Sequence, residues 1–287
     1  MGPGPDEAEL LQYLADIGWS DLYLQTAPGA PTGAQPAGKP ASAREEEALS
    51  KGTATVASAV PSRASGSPTA PPAAAPQLRP AAARQPAGEV VAELAALAEQ
   101  VAGCRQCKLC TTRTQTVFAS GDPRARLMVV GEGPGAEEDR QGLPFVGAAG
   151  ELLNKILAAI GLARNAVYVA NIVKCRPPGN RDPEPDEVRA CRGYLERQID
   201  LVQPAVIVAL GRIAAQELLG TDASLSRLRG DWHEVRGIPV RVTYHPAALL
   251  RNPAWKRPTW EDMQLVRDRL LAADTPDSAG ATEEAGE

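Results

Sequence analysis

The chain is predicted to be an α/β protein, a three-layer αβα sandwich around a central, mainly parallel sheet. Three features carry that expectation. Residues 205–210 form an unbroken apolar run, as in a parallel strand buried on both faces. Short runs of this kind alternate with stretches of helical periodicity. Glycine or a polar residue follows several of the runs, where ligands of open parallel sheets bind.

In chain order, residues 1–25 hold a short amphipathic segment. Leu10, Leu11, Leu14 and Ile17 recur at helical spacing over residues 8–24, with Trp19, Leu22 and Tyr23 just beyond. Such a segment is too short to fold alone. It is either a frayed end or a docking peptide for a partner. Residues 26–88 hold eleven of the 26 prolines and no Phe, Tyr or Trp. This Ala/Pro-rich linker has too little apolar surface to offset its ordering entropy and is expected to be disordered. The folded domain is expected over residues 89–273. Val90, Val91, Leu94, Leu97 and Val101 mark a first helix. Residues 127–130 are a strand, with 131–135 as its exit turn. Leu152, Leu153, Ile156, Leu157 and Ile160 share a helix that stops at Gly161. Residues 167–173 are the next strand. Pro185, Asp186 and Glu187 open a helix to about residue 202. The strand at 205–210, a helix from Gly211 to Leu219, a strand at 240–244 and a helix over 260–272 complete the domain. The tail, 274–287, is acidic and expected to be disordered.

Bulk composition excludes several classes. A formal net charge of −5 rules out a general polycation, so contact with nucleic acid must come from a local basic patch. No apolar run approaches the roughly 18 to 20 residues of a membrane span. The acidic start lacks the pattern of a signal peptide. The expected location is the cytoplasm, where the five cysteines would be reduced or metal-bound rather than paired.

Cys104 and Cys107 are spaced Cys-x2-Cys; Cys175 and Cys191 lie far downstream and border one helix. Four thiolates can hold zinc or an iron–sulfur cluster. A compact zinc ribbon usually repeats Cys-x2-Cys. The asymmetric spacing, with a long segment between, fits a [4Fe–4S] site better, although buried thiols are the bland alternative. Cys110 is expected to be a bystander, because four ligands exist without it.

Gly131-Glu132-Gly133-Pro134-Gly135 follows a strand. Its glycines permit close backbone approach to a ligand. The acids Glu137, Glu138 and Asp139 that follow would repel a phosphate, and Phe145 beyond them suits stacking on a base. Asn171 ends a strand. Its amide can pair with both a carbonyl and an N–H, the pattern that reads a pyrimidine edge. His245 ends another strand before Pro246. The mix of Leu249, Leu250 and Arg251 after it suits wedging into a duplex and holding phosphates.

Together these motifs resemble the family 4 uracil-DNA glycosylases, the iron–sulfur branch of that superfamily. The resemblance runs from about Gly103 to Leu270. It is carried by Gly-Glu-Gly-Pro-Gly-Ala-Glu-Glu-Asp with Leu-Pro-Phe-Val-Gly, by Ala-Asn-Ile-Val-Lys-Cys-Arg-Pro-Pro, and by Tyr-His-Pro-Ala-Ala-Leu-Leu. Ala247 stands where the family more often has Ser, which would weaken a hydrogen bond to the DNA backbone. The family 5 enzymes differ in the first motif, and the covalently trapping relatives carry a His-containing insertion that is not seen after Arg140.

The resemblance implies a monofunctional hydrolase that removes uracil from single- or double-stranded DNA, initiating base excision repair. It implies Cys104, Cys107, Cys175 and Cys191 as ligands of a [4Fe–4S] cluster. Phe145 would stack on the uracil and Asn171 would pair with its edge. Gly131 and the backbone at Glu132 and Gly133 would complete the pocket. His245 would stabilise the departing base. Glu132 or Glu138, or backbone groups, would place the water. Lys174, Arg176, Leu250 and Arg251 would contact DNA. The expected protein is a monomer of the bacterial or archaeal cytosol, associated with the nucleoid, with residues 8–24 available to a replication or repair protein. Two other readings are an iron–sulfur DNA-binding or redox module without glycosylase activity, and a zinc-stabilised nucleotide-binding protein.

Overall fold

A computed structural model describes residues 85–273. The expectations for residues 1–25, for most of the linker and for the acidic tail lie outside the described residues.

Five strands form one sheet in the order β2-β1-β3-β5-β4. They are β1 (Leu127–Gly131), β2 (Tyr168–Asn171), β3 (Val206–Leu210), β4 (Trp232–Val235) and β5 (Ile238–Thr243). All neighbours run parallel except β4, which pairs antiparallel with β5 at one edge. The helices are α1 (Ala87–Ala102), α2 (Ala136–Gln141), α3 (Ala148–Ala159), α4 (Pro185–Val202), α5 (Gly211–Leu219), α6 (Leu225–Leu228), α7 (Pro246–Arg251) and α8 (Lys256–Ala272).

Strand pleating explains the three layers. Side chains alternate between the two faces of a strand. Leu127, Val129, Val206 and Val208 join one core with Leu153 and Ile156 of α3 and Met263 and Val266 of α8. Met128, Val130, Ile207 and Ala209 join the other with Val90 and Leu94 of α1, Leu195 and Ile199 of α4, and Ala214 of α5. Both faces are covered, so β1 and β3 are buried at every position.

The sequence pattern missed β4. Its connection to β5 turns through Arg236 (φ 55°) and Gly237 (φ 76°), two successive left-handed residues. That is the backbone of a tight type I′ hairpin, which Asn-Gly or Asp-Gly usually announces. Here arginine occupies the first position, and its Nε and Nη2 bond both oxygens of Asp200.

Candidate active site

The pocket lies at the carboxyl ends of β1, β2 and β5. It holds about 350 Å³ and is lined by Glu132, Gly133, Phe145, Asn171, His245 and Arg251, among others. That volume is within the range of small-molecule sites.

β1 delivers Gly131. A Cβ there would sit 2.5 Å from Asn171 Oδ1 and 2.7 Å from Phe145 Cζ, so only glycine lets those two side chains converge. Neighbouring β2 delivers Asn171, which is in register with Gly131. Asn171 is 2% exposed, and its Oδ1 has no hydrogen-bond partner. A buried amide oxygen without a partner is costly in a finished fold. It marks a place where a ligand N–H belongs.

Phe145 is held in a left-handed conformation (φ 56°), uncommon for a bulky residue. Two devices impose it. Gly150 lets the first turn of α3 pass close to Phe145, whose carbonyl oxygen would lie 1.8 Å from a Cβ at that glycine. Glu138 also fastens the loop. Its Oε1 accepts from Val146 N and Gly147 N, both at 3.0 Å, and its Oε2 accepts from Gly135 N at 3.1 Å. With both oxygens engaged by the main chain, Glu138 is a loop clamp. It also lines the pocket.

His245 follows β5 and N-caps α7. Its Nδ1 accepts from Ala247 N at 3.2 Å, which leaves the proton of the neutral ring on Nε2. Burial, and then the charge of Arg251, pull its pKa down to about 4. The imidazole is thus neutral near pH 7, with one N–H to donate. Its ring centroid lies 5.5 Å from that of Phe145. Glu132 sits at the pocket wall. Burial, and then the charge of Asp182, raise its carboxyl pKa to about 7, partly opposed by Arg212.

Asp262, 1% exposed, anchors the strand that carries His245. Its Oδ1 accepts from Arg241 Nε and Nη2, and its Oδ2 accepts from Arg229 and from Thr243 Oγ1 at 2.7 Å. Sequence reading missed this network. An acid at the start of an amphipathic helix reads as solvated, and only the fold brings two arginines to it.

The expected DNA contacts divide. Leu250 is 51% exposed, and Arg251 is exposed on the pocket rim. Arg176 is half-buried, and its Nε bonds Asn180 Oδ1 across the turn beside the pocket. Lys174 is 1% exposed and inside the domain, out of reach of a phosphate. Its expected DNA contact is corrected: the residue after a buried strand, between Asn171 and Cys175, continues inward.

Behind the pocket, Cys104, Cys107, Cys175 and Cys191 line one small cavity. Cys110, the expected bystander, lines it too. Cys104 follows the end of α1, Cys107 precedes a short 3-10 turn, Cys175 lies beyond β2, and Cys191 is on the buried face of α4. Among the described residues, no three Cys, His, Asp or Glu side chains converge in a way that could hold a single metal ion. The donor set does fit a cluster. Several cysteines face one cavity, and N–H groups point at two of the sulfurs. Arg113 Nη1 donates to Cys175 Sγ at 3.0 Å, and Lys174 N donates to Cys191 Sγ at 3.3 Å. Burial pushes the Cys175 thiol up to about 11 and also raises Cys107 and Cys191. Such sulfurs ionise only when positive charge joins them in the cavity.

Fold and site define an α/β protein with a small, partly polar, aromatic-walled pocket at the carboxyl edge of its sheet, backed by a cysteine cage. The chain belongs to the uracil DNA glycosylase superfamily, whose profile matches residues 118–264, and within it to the type-4 branch. The type-4 uracil-DNA glycosylase of Sulfurisphaera tokodaii is 45% identical over 182 residues, which are 60% of this chain and 83% of that protein. The Archaeoglobus fulgidus enzyme is 43% identical over 178 residues, 59% and 89%. The Thermotoga maritima enzyme is 46% identical over 160 residues, 54% and 82%. Among the described residues no helix is long and apolar enough to cross a membrane.

Proposed function

We propose that this protein is a monofunctional uracil-DNA glycosylase that hydrolyses the N-glycosidic bond of deoxyuridine in DNA and leaves an abasic site. The observation that carries the reading is the buried, unpartnered Oδ1 of Asn171 in a pocket shared with Phe145 and His245.

A base inside a duplex must be flipped out to reach such a pocket. Exposed Leu250 fills the gap left in the stack, and Arg251 and Arg176 hold phosphates. Phe145 stacks on the base. Asn171 Oδ1 accepts the uracil N3–H, and its NH2 donates to O4. As the N1–C1′ bond breaks, its electron pair stays with uracil and charge spreads to O2. The neutral His245 donates Nε2–H to that oxygen, a contribution of roughly 3 to 4 kcal/mol for one well-placed donor. Water adds to C1′ of the cationic sugar. Glu132, with its carboxyl pKa near 7, takes the proton the water loses.

Cys104, Cys107, Cys175 and Cys191 would hold a [4Fe–4S] cluster. When bound, it supplies a cross-link between the end of α1, the segment after β2 and helix α4. This reading also makes the protein a monomer of the cytosol that meets the nucleoid. Residues 8–24 are the segment through which it would dock on a replication or repair protein.

The test is excision from a uracil-containing oligonucleotide followed by alkali. Alkali-dependent cleavage at uracil is expected. Intact oligonucleotide after treatment with brown, iron-loaded protein would sink the reading in favour of a non-catalytic iron–sulfur module.

A further inference from the structure

Lys174 contacts the cysteine cage, the base-reading strand and helix α4. Its main-chain N donates to Cys191 Sγ at 3.3 Å, and its carbonyl accepts from Val117 N at 2.8 Å. Its Nζ donates to the main-chain oxygen of Asn171 at 2.8 Å and to Gln198 Oε1 at 2.5 Å. Gln198 is itself fully buried and donates to Tyr168 OH at 3.1 Å and to Phe118 O at 3.3 Å.

A buried ammonium is costly without opposite charge nearby. Both acceptors of Nζ are neutral. Among the described residues no carboxylate pairs with Lys174, and the residue lines the cysteine cavity. Arg113 repeats the pattern. It donates to Cys175 Sγ and to the Cys104 carbonyl oxygen, and it lines the same cavity. Four thiolates carry more negative charge than an iron–sulfur core carries positive charge. The liganded centre is therefore a net anion, tuned by hydrogen bonds to its sulfurs. Two cations at the wall of the cysteine cavity are what such a centre requires.

We propose that Lys174 is a positioning residue with two attachments, counterion to the liganded cysteine cage and strut for the Asn171 main chain. Filling the cage thereby sets the base-reading edge of the pocket. The inference rests on the cluster and on the role of Asn171 proposed above. It places the effect of the cage on base recognition, beyond cross-linking the fold.

The test compares iron-loaded wild type with Lys174→Met, close in size and uncharged, and with Lys174→Arg, which keeps the charge. One readout is the rate of iron loss to a chelator, followed by visible absorbance. The other is the affinity of the iron-loaded fraction for free uracil, by calorimetry. Lys174→Met is expected to lose iron about 10- to 100-fold faster, the usual scale for partners of metal ligands. It is also expected to bind uracil at least roughly tenfold more weakly. Lys174→Arg should recover iron retention. Iron loss at the wild-type rate in Lys174→Met, or uracil affinity equal to wild type, overturns the proposal. If neither variant folds, amide exchange of residues 168–172 is measured in wild type before and after chelation. Faster exchange without iron is expected, and unchanged exchange overturns the proposal. Wild-type protein that carries no iron, or that leaves uracil in DNA, takes down the underlying reading and this one with it.

Discussion

Replacing Glu138 by Gln tests whether the pocket is shaped by its loop clamp. The carboxylate accepts three main-chain hydrogen bonds, from Gly135, Val146 and Gly147. Bonds to a charged acceptor contribute about 1.5–3 kcal/mol each, and their neutral counterparts about half as much. Glutamine keeps one acceptor oxygen for Val146 and Gly147 but turns an N–H toward the Gly135 N–H. Water can replace part of the loss at this half-buried side chain, so the net cost is about 2–4 kcal/mol. Against it stands the left-handed backbone of Phe145, a strain of about 1–3 kcal/mol that the clamp holds in place. With the two comparable, Phe145 relaxes and its ring leaves the base site in most molecules. The melting temperature should fall by roughly 5–15 °C for a domain of this size. Single-turnover kcat/KM on a uracil-containing oligonucleotide should fall about 30-fold or more. A lower melting temperature with kcat/KM within about twofold of wild type would show that Phe145 holds its position without the clamp. An unchanged melting temperature would refute the energetic reasoning itself.

Three further outcomes follow from the same geometry. Glu132 is protonated below its raised pKa of about 7 and cannot then take a proton, so log kcat/KM should climb with pH up to that value and level off above it. Glu132→Gln should abolish that limb, and a wild-type profile flat from about pH 5 to about pH 8 would remove Glu132 from the reaction. Gly131→Ala places a methyl 2.5 Å from Asn171 Oδ1 and 2.7 Å from Phe145 Cζ, so excision should drop at least about 100-fold while circular dichroism and melting show a folded protein. Asp262→Asn breaks a buried pairing with Arg229 and Arg241 and should cost about 3–5 kcal/mol in a urea melt; a loss under about 1 kcal/mol would mean that the network is replaceable.

Much of this molecule is legible in one dimension because buried parallel strands are written as apolar runs. Helix α4 begins at Pro185 and ends at Val202, where the periodicity and the Pro-Asp-Glu start place it. The helix from Gly211 to Leu219 is likewise where its pattern lies. The closing helix starts at Lys256, ahead of Trp260, because its first turn is polar and carries no apolar stripe. The small, chemically distinctive residues of the pocket were legible too. Gly131, Asn171 and His245 come together because each lies at or just past a strand end, and Phe145 joins them from the loop after α2. What stayed hidden were roles set by three-dimensional neighbours. Glu138 and Lys174 look like ordinary charged residues in the sequence. The first is engaged by amides of a loop eight and nine residues on, and the second is turned inward by the strand it extends. The fastening of Thr243 by Asp262 joins residues nineteen apart and has no local signature.

The sheet order has a consequence for how activity is lost. Asn171 comes from β2 and His245 from the end of β5, with β1 and β3 between them, and the clamp and the ring of Phe145 hang from β1. No contiguous fragment of the chain shorter than the span from Gly131 to His245 contains the pocket. Its assembly therefore waits for the most distant pairing in the sheet, the kind that closes late and slowly. A partly folded or proteolysed chain would carry pieces of the pocket but never a working half-site. Under the proposed function, the flipping wedge and the bond-breaking histidine would become competent together, and a damaged copy of the protein would fall silent rather than cut loosely.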